Sequence, residues 1–137
     1  MILGQYDAAE KALLKAVDKK EDEARVYLAQ IYTLQQDADS AQKMVDAYLE
    51  SKNVSSEGLT LLGNMAMDAQ DYAQALEYYQ QGLACAQVTN ARELRKNEIA
   101  ALERCGQYED AQTKLAEYLE DYPGDQVALQ EQQFLTR

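Results

Sequence analysis

The sequence predicts an all-α chain built as a stack of helical hairpins, and three observations predict it. Of 137 residues 21 are alanine and one is proline, and β-branched residues are few, so intrinsic propensity favours helix almost throughout. Short polar turns recur at "LQQDAD", "DAQDY" and "CGQYED". The alanines of the succeeding helices align with an earlier one, so that Ala9, Ala41, Ala75 and Ala111 stand 32, 34 and 36 residues apart. Self-similarity near 34 residues is the mark of stacked helical pairs, each of which buries its apolar face only against a neighbour.

The environment of those alanines repeats as well. Four residues on stand Leu13, Val45, Tyr79 and Leu115; three further stand Ala16, Tyr48, Gly82 and Tyr118. Tyr6, Tyr72 and Tyr108 precede three of them by three positions, and Ala38 precedes the fourth. Steps of three and four place each set on one helical face.

Taken in order, residues 1–19 ("GQYDAAEKALLKAV" within them) read as a lone second helix whose inward face, Tyr6, Ala9, Leu13 and Ala16, lacks its hairpin partner. Two expectations follow: the chain is a piece of a longer array, or it forms a homodimer in which Leu13, Leu14 and the opening "MIL" pack across a two-fold axis. Residues 22–51 form a repeat with Leu28, Ala29 and Tyr32 on its first helix and Ala41 and Val45 on its second, Asp37 capping the latter. Residues 56–87 form the next. Asp71 and Gln74 have capping-box spacing, and so have Asn90 and Glu93 at the head of the third repeat, residues 90–122. Pro123-Gly124 ends that repeat, and Asp125 starts a final helix over residues 125–136 whose Val127, Leu129, Phe134 and Leu135 can cover the end of the stack. The whole, 1–137, is a single domain.

These residues resemble the tetratricopeptide repeat (TPR) family. Its first helix carries a large residue and then a Leu-Gly pair; its second carries alanine and an aromatic, and proline closes the unit. The best match is "LLGNMAMDAQDYAQALEYYQQGL", with Leu59, Leu62, Gly63 and Ala66 on one helix and Tyr72, Ala75, Tyr79 and Gly82 on the other. Gly63 and Ala75 are the small residues that let two helices approach, and the tyrosines fill the gap beside them. The third repeat departs, with Glu98 where leucine is expected and Ile99 where glycine is; a small twist would turn Leu94, Ala101, Leu102 and Cys105 inward and keep Glu98 out of the core. The tail "YPGDQVALQEQQFLTR" is similar to the closing helix common after bacterial arrays of this family. The resemblance implies a right-handed α-α superhelix of about three and a half hairpins plus a C-terminal capping helix.

Composition narrows the function. Formal charge is −11 and spread along the chain; the densest basic stretch, "KAVDKK", is followed at once by "EDE". Nucleic acid is therefore excluded as an expected partner, because phosphate binding relies on clustered Lys and Arg. No window approaches eighteen apolar residues, so no membrane span is expected, and "MILGQYDAAEK" lacks the basic flank of a signal peptide. The expected location is cytoplasmic, or exported or membrane-anchored if a further N-terminal region carries a signal. Cys105 is expected at the far end of the helix that begins at Ala91, away from the turn that follows Cys85, so the two are too far apart for a disulfide and are expected to be small packed residues. With no histidine and no phosphate-cradling glycine loop, the chain is expected to be non-enzymatic, with no catalytic residue, metal or cofactor.

What remains is recognition of a protein or peptide. In the family, first helices line the concave groove. By that resemblance the groove positions are Val26, Gln30 and Thr33, then Thr60, Asn64 and Met67, then Glu93, Lys96, Ala100 and Glu103. Asn64 and Asn97 also fall on the asparagine positions of the subclass that clamps acidic chaperone tails. Thr60 replaces its first lysine, however, and Val127 and Glu131 stand where its further cations belong, so clamp function is rejected. Glu93 and Glu103 beside Lys96 favour a polar or weakly basic ligand. The alternatives are self-association, or a regulatory part of a larger enzyme or envelope lipoprotein.

Overall fold

The computed structural model describes residues 10, 22–51 and 53–136. Among them are seven helices and no strand: α1 (Ala24–Leu34), α2 (Ala38–Glu50), α3 (Ser56–Asp68), α4 (Tyr72–Leu83), α5 (Ala91–Arg104), α6 (Tyr108–Asp121) and α7 (Gln126–Leu135). Three hairpins, α1–α2, α3–α4 and α5–α6, stack in chain order; α1 also packs on α3, α4 on α5, and α7 closes on α6. The lone second helix and the dimer surface expected within residues 1–19 lie outside the described residues, save Glu10, which accepts a hydrogen bond from the Tyr32 hydroxyl at 2.6 Å.

The three hairpin turns share one backbone solution. Asp37 N–H bonds Tyr32 O at 2.8 Å and Gln36 N–H bonds Thr33 O at 3.0 Å; the same pair recurs from Asp71 to Ala66 and Gln70 to Met67, and from Gln107 to Leu102 and Gly106 to Glu103. This doubled bond is the Schellman ending, and it requires one left-handed residue. Gln36, Gln70 and Gly106 supply it, with φ of 61, 62 and 77°. Glycine accepts that geometry freely, whereas each glutamine pays about 1 kcal/mol for it. The turn then feeds straight into the next cap: Asp37 accepts from Ser40 N–H and Asp71 from Gln74 N–H.

Within each hairpin the two helices carry complementary sizes at one level. Gly63 of α3 faces the Tyr79 ring of α4. The corresponding residues are Ala29 with Val45 in the first hairpin and Ile99 with Leu115 in the third, all buried. Ile99 can therefore replace glycine because leucine has replaced the tyrosine opposite. Ala41, Ala75 and Ala111, on which the repeat was aligned, are buried as well.

Between hairpins the sizes alternate. Tyr48 at the end of α2 lies against Gly58 in the first turn of α3; one repeat later Gly82 lies against Leu94. Tyr48 and Tyr118 also perform the same polar task, each reaching seven residues on to the cap of the next helix. The Tyr48 hydroxyl accepts from Ser55 N–H at 3.0 Å, and Tyr118 donates to Asp125 at 2.6 Å. Both rings are fully enclosed, so these bonds satisfy hydroxyls that would otherwise be costly to bury.

Two sequence expectations are corrected in α5. Glu98 is not kept out: it is 4 % exposed, while Leu94, Ile99, Ala101 and Leu102 are buried with it and Cys105 is only half-buried. Apolar residues flank position 98 on both sides, so no rotation of the helix can bury them and free it. Asn90 does not cap α5 with its side chain. Its Nδ2 donates instead to Thr60 Oγ1 at 2.8 Å, tying the third repeat to the second. Ser55, not foreseen, caps α3 by accepting from Gly58 N–H at 3.0 Å.

Candidate functional site

The first helices α1, α3 and α5 carry the ten residues assigned to the groove, and the structure separates them into two sets. Val26 and Thr60 are core residues, at 0 % and 3 % exposure, and are corrected from groove to junction. They occupy equivalent positions, as does Lys96, and this position faces the start of the next first helix. Thr60 Oγ1 donates to Ser56 O and accepts from Asn90; Lys96 Nζ lies 3.1 Å from Asp125. Lys96 is nonetheless exposed, with its ammonium paired to that carboxylate.

Thr33 and Glu93 are exposed, and Gln30, Asn64, Met67, Ala100 and Glu103 are half-buried. Asn64 is held from below. Its Oδ1 accepts from the Tyr79 hydroxyl at 2.7 Å and, at 3.5 Å, from Asn97 on the neighbouring first helix. Burial, assisted by the charges of Asp68 and Glu93, pushes the Tyr79 phenol up to about 12, so it remains a donor at any physiological pH.

Sequence reasoning missed the polar latch at the end of the stack. Asp125 accepts from Tyr118, from Ala128 N–H at 3.1 Å and from Arg92 at 3.4 Å, in addition to its pairing with Lys96. These contacts, with the Tyr118 bond foremost, hold its carboxyl well below the usual range. Arg92 lies 4.7 Å from the Tyr122 ring centroid, and Arg95 lies 5.5 Å from Tyr118 and 2.5 Å from Asp121. The cations of α5 are thus engaged within the chain. Their spacing, Arg92, Arg95 and Lys96 on one helical face, is the signal that could have found them.

Two concave places flank these helices. A cleft of about 190 Å³ lies beside the latch, lined by Lys96, Ala100, Leu115, Tyr118, Ala128 and Glu131. A larger one, about 330 Å³, opens among α2, α3 and α4, on the side of the second helices.

Near the smaller cleft, Glu103 on α5 meets Glu131 on α7. Glu103 Oε1 is enclosed with no donor among the described residues, and burial together with the Glu131 carboxyl pushes Glu103 up to about 8. A proton on Glu103 supplies the donor that two carboxylates lack. Because the folded chain holds this proton more tightly than the unfolded chain does, the stability it contributes is complete below about 4.5 and is lost as pH rises towards 8. The pair is only partly shielded from water, so we expect a loss of about 1–2 kcal/mol over that window. Glu103→Gln should remove the slope and be the more stable form at pH 8; urea midpoints at pH 5.5 and 8 measure it, and equal slopes would refute the coupling.

Among the described residues no group of three His, Cys, Asp or Glu side chains is placed to hold a metal ion, and no helix is long and apolar enough to cross a membrane. Cys85 and Cys105 are free thiols.

Comparison with known proteins agrees with the hairpin stack. A family model described as tetratricopeptide repeat matches residues 1–65. Among solved structures the crystal structure of MamA is similar, with a TM-score of 0.72 and 18% sequence identity over 96% of this chain and 77% of that one. At that identity the likeness is one of fold. No curated protein matches the sequence.

Proposed function

We propose that the chain, whose residues 1–65 match a tetratricopeptide-repeat family model and whose hairpin stack is similar to that of MamA, is a non-catalytic scaffold that holds a peptide or protein segment along its first helices. The observation that favours this reading is the continuity of the face. Asn64 and Asn97 touch across adjoining repeats, and Gln30, Thr33, Met67, Glu93 and Ala100 are accessible along the same three helices. Half-buried polar and thioether groups on a rigid support can adapt to a ligand without ordering cost in the scaffold. With Lys96 occupied by Asp125 and Glu103 inclined to hold its proton, Glu93 is the open charge of the predicted set, which suits a polar, weakly basic segment.

The test is affinity capture followed by a groove variant. Gln30→Ala, Met67→Ala and Glu93→Ala together touch none of the core bonds described above, so the melting temperature should stay within a few degrees. Proteins retained by the wild type should be lost by the triple variant. An unchanged set of partners at unchanged stability would place recognition elsewhere on the molecule.

A further inference from the structure

The larger cleft meets that face at Thr33 and is otherwise lined by different residues. The second helices α2 and α4 do not pack closely on each other; they stand on either side of α3, and the space between them is floored by Ala41, Val45, Leu62, Met65 and Ala66, with Tyr78 as one wall. Its volume of about 330 Å³ falls within the roughly 300–1,000 Å³ range of sites that enclose organic groups.

The rim is acidic. Asp46, Asp71 and Glu77 are exposed, and all three act on the half-buried Tyr78 phenol, which burial and their charges push up. They accept hydrogen bonds from Gln42, Gln74 N–H and Gln74 Nε2 respectively. Among the described residues none of the three has a cation within ion-pair distance.

Neither feature belongs to the repeat in general. One repeat on, the positions of Val45 and Ala66 carry the larger Tyr79 and Leu102. The positions of Asp46, Asp71 and Glu77 carry Gln80, Gln107 and Thr113, and that of Tyr78 carries Lys114. Small floor residues and an unpaired acidic rim therefore coincide at one junction, and the next carries larger residues at two floor positions and none of the three acids.

We propose that this cleft is a second docking surface, which takes an amphipathic basic segment of a partner protein. One bulky aliphatic or aromatic side chain enters over Met65 and Ala66, and flanking lysines or arginines meet Asp46, Asp71 and Glu77. Apolar burial supplies the anchor, and charge complementarity supplies orientation and speed of encounter.

The probe is a fluorescein-labelled helical peptide with a leucine face flanked by lysines, read by fluorescence anisotropy at 0.15 M salt, beside twins in which serine replaces leucine or glutamine replaces lysine. The parent peptide should bind and both twins should bind at least about tenfold more weakly, since each lacks one of the two contributions. Asp46→Asn with Glu77→Gln should weaken the parent about tenfold by removing two rim charges. Ala69→Arg, which places bulk and positive charge at the mouth, should abolish binding. The groove variant Gln30→Ala/Met67→Ala/Glu93→Ala should bind as the wild type does, so that failure here and failure of the groove reading are told apart. No binding by the parent, equal binding by the serine twin, indifference to the rim substitutions, or loss in the groove variant would each overturn the proposal. The rim positions are exposed, so that variant decides the matter if Ala69→Arg does not fold.

Discussion

Gly63→Ala should destabilise the protein by about 2 kcal/mol, although the same change in an ordinary helix interior stabilises by about 1 kcal/mol. A Cβ at this position would lie 2.6 Å from Cδ1 and 2.8 Å from Cζ of Tyr79, inside van der Waals contact. The ring cannot withdraw cheaply, since it is 1 % exposed and its hydroxyl is bonded to Asn64. Overpacking of this kind costs about 1–3 kcal/mol, or more where neighbours are fixed. The pairing of Ile99 with Leu115 shows how the space can be shared differently, so Tyr79→Leu in the Gly63→Ala background should recover part of the loss. Gly124→Ala serves as the control, because a Cβ there meets nothing within 4 Å. Urea unfolding of the three variants measures the effect; a neutral Gly63→Ala would mean that the helices are not held at this separation.

Asp125→Ala should detach the closing helix. The carboxylate is the cap of α7 and the acceptor for the enclosed Tyr118 hydroxyl, and it binds Arg92 and Lys96 from α5. One substitution therefore removes a cap, leaves a buried hydroxyl without its acceptor and frees two cations. The melting temperature should fall by about 5–10 °C, with less loss for Asp125→Asn, which keeps an acceptor but not the charge. The sign of the pH dependence follows from the lowered carboxyl. Its contribution is present above the ordinary aspartate value of 3.8 and is lost as pH falls below it, so wild type and Asp125→Asn should converge in acid. Glu103 acts in the opposite sense between about 4.5 and 8. Melting curves at pH 7 and 5 and at successive steps below 3.8 separate the two groups, and a gap that does not narrow as pH falls below 3.8 would contradict the account of Asp125.

The alanine spacing made the hairpins legible because a small residue at a helix crossing is a local requirement, repeated wherever the crossing is repeated. Gly63 opposite Tyr79 was legible for the same reason. Val26 and Thr60 were not, since periodicity identifies a helix face but not how far the following hairpin overlaps it. Glu98 was misplaced because its burial depends on apolar neighbours to both sides. Asn90 has the spacing of a cap, but a hydroxyl 30 positions earlier in the chain takes its donor. The cleft between the second helices was hidden because it arises from side chains that are too short on three helices at once, and no single residue announces it.

The alternation at the junctions also limits how such an array can change length. If the middle hairpin were excised and the first spliced to the third, Tyr48 would be driven into Leu94, ring against branched chain, where each now meets a glycine. Units here are keyed to their neighbours rather than interchangeable. Duplication or loss of a hairpin would therefore demand a matching change across the seam, and a shuffled library would recover only those orders in which every protrusion meets a gap.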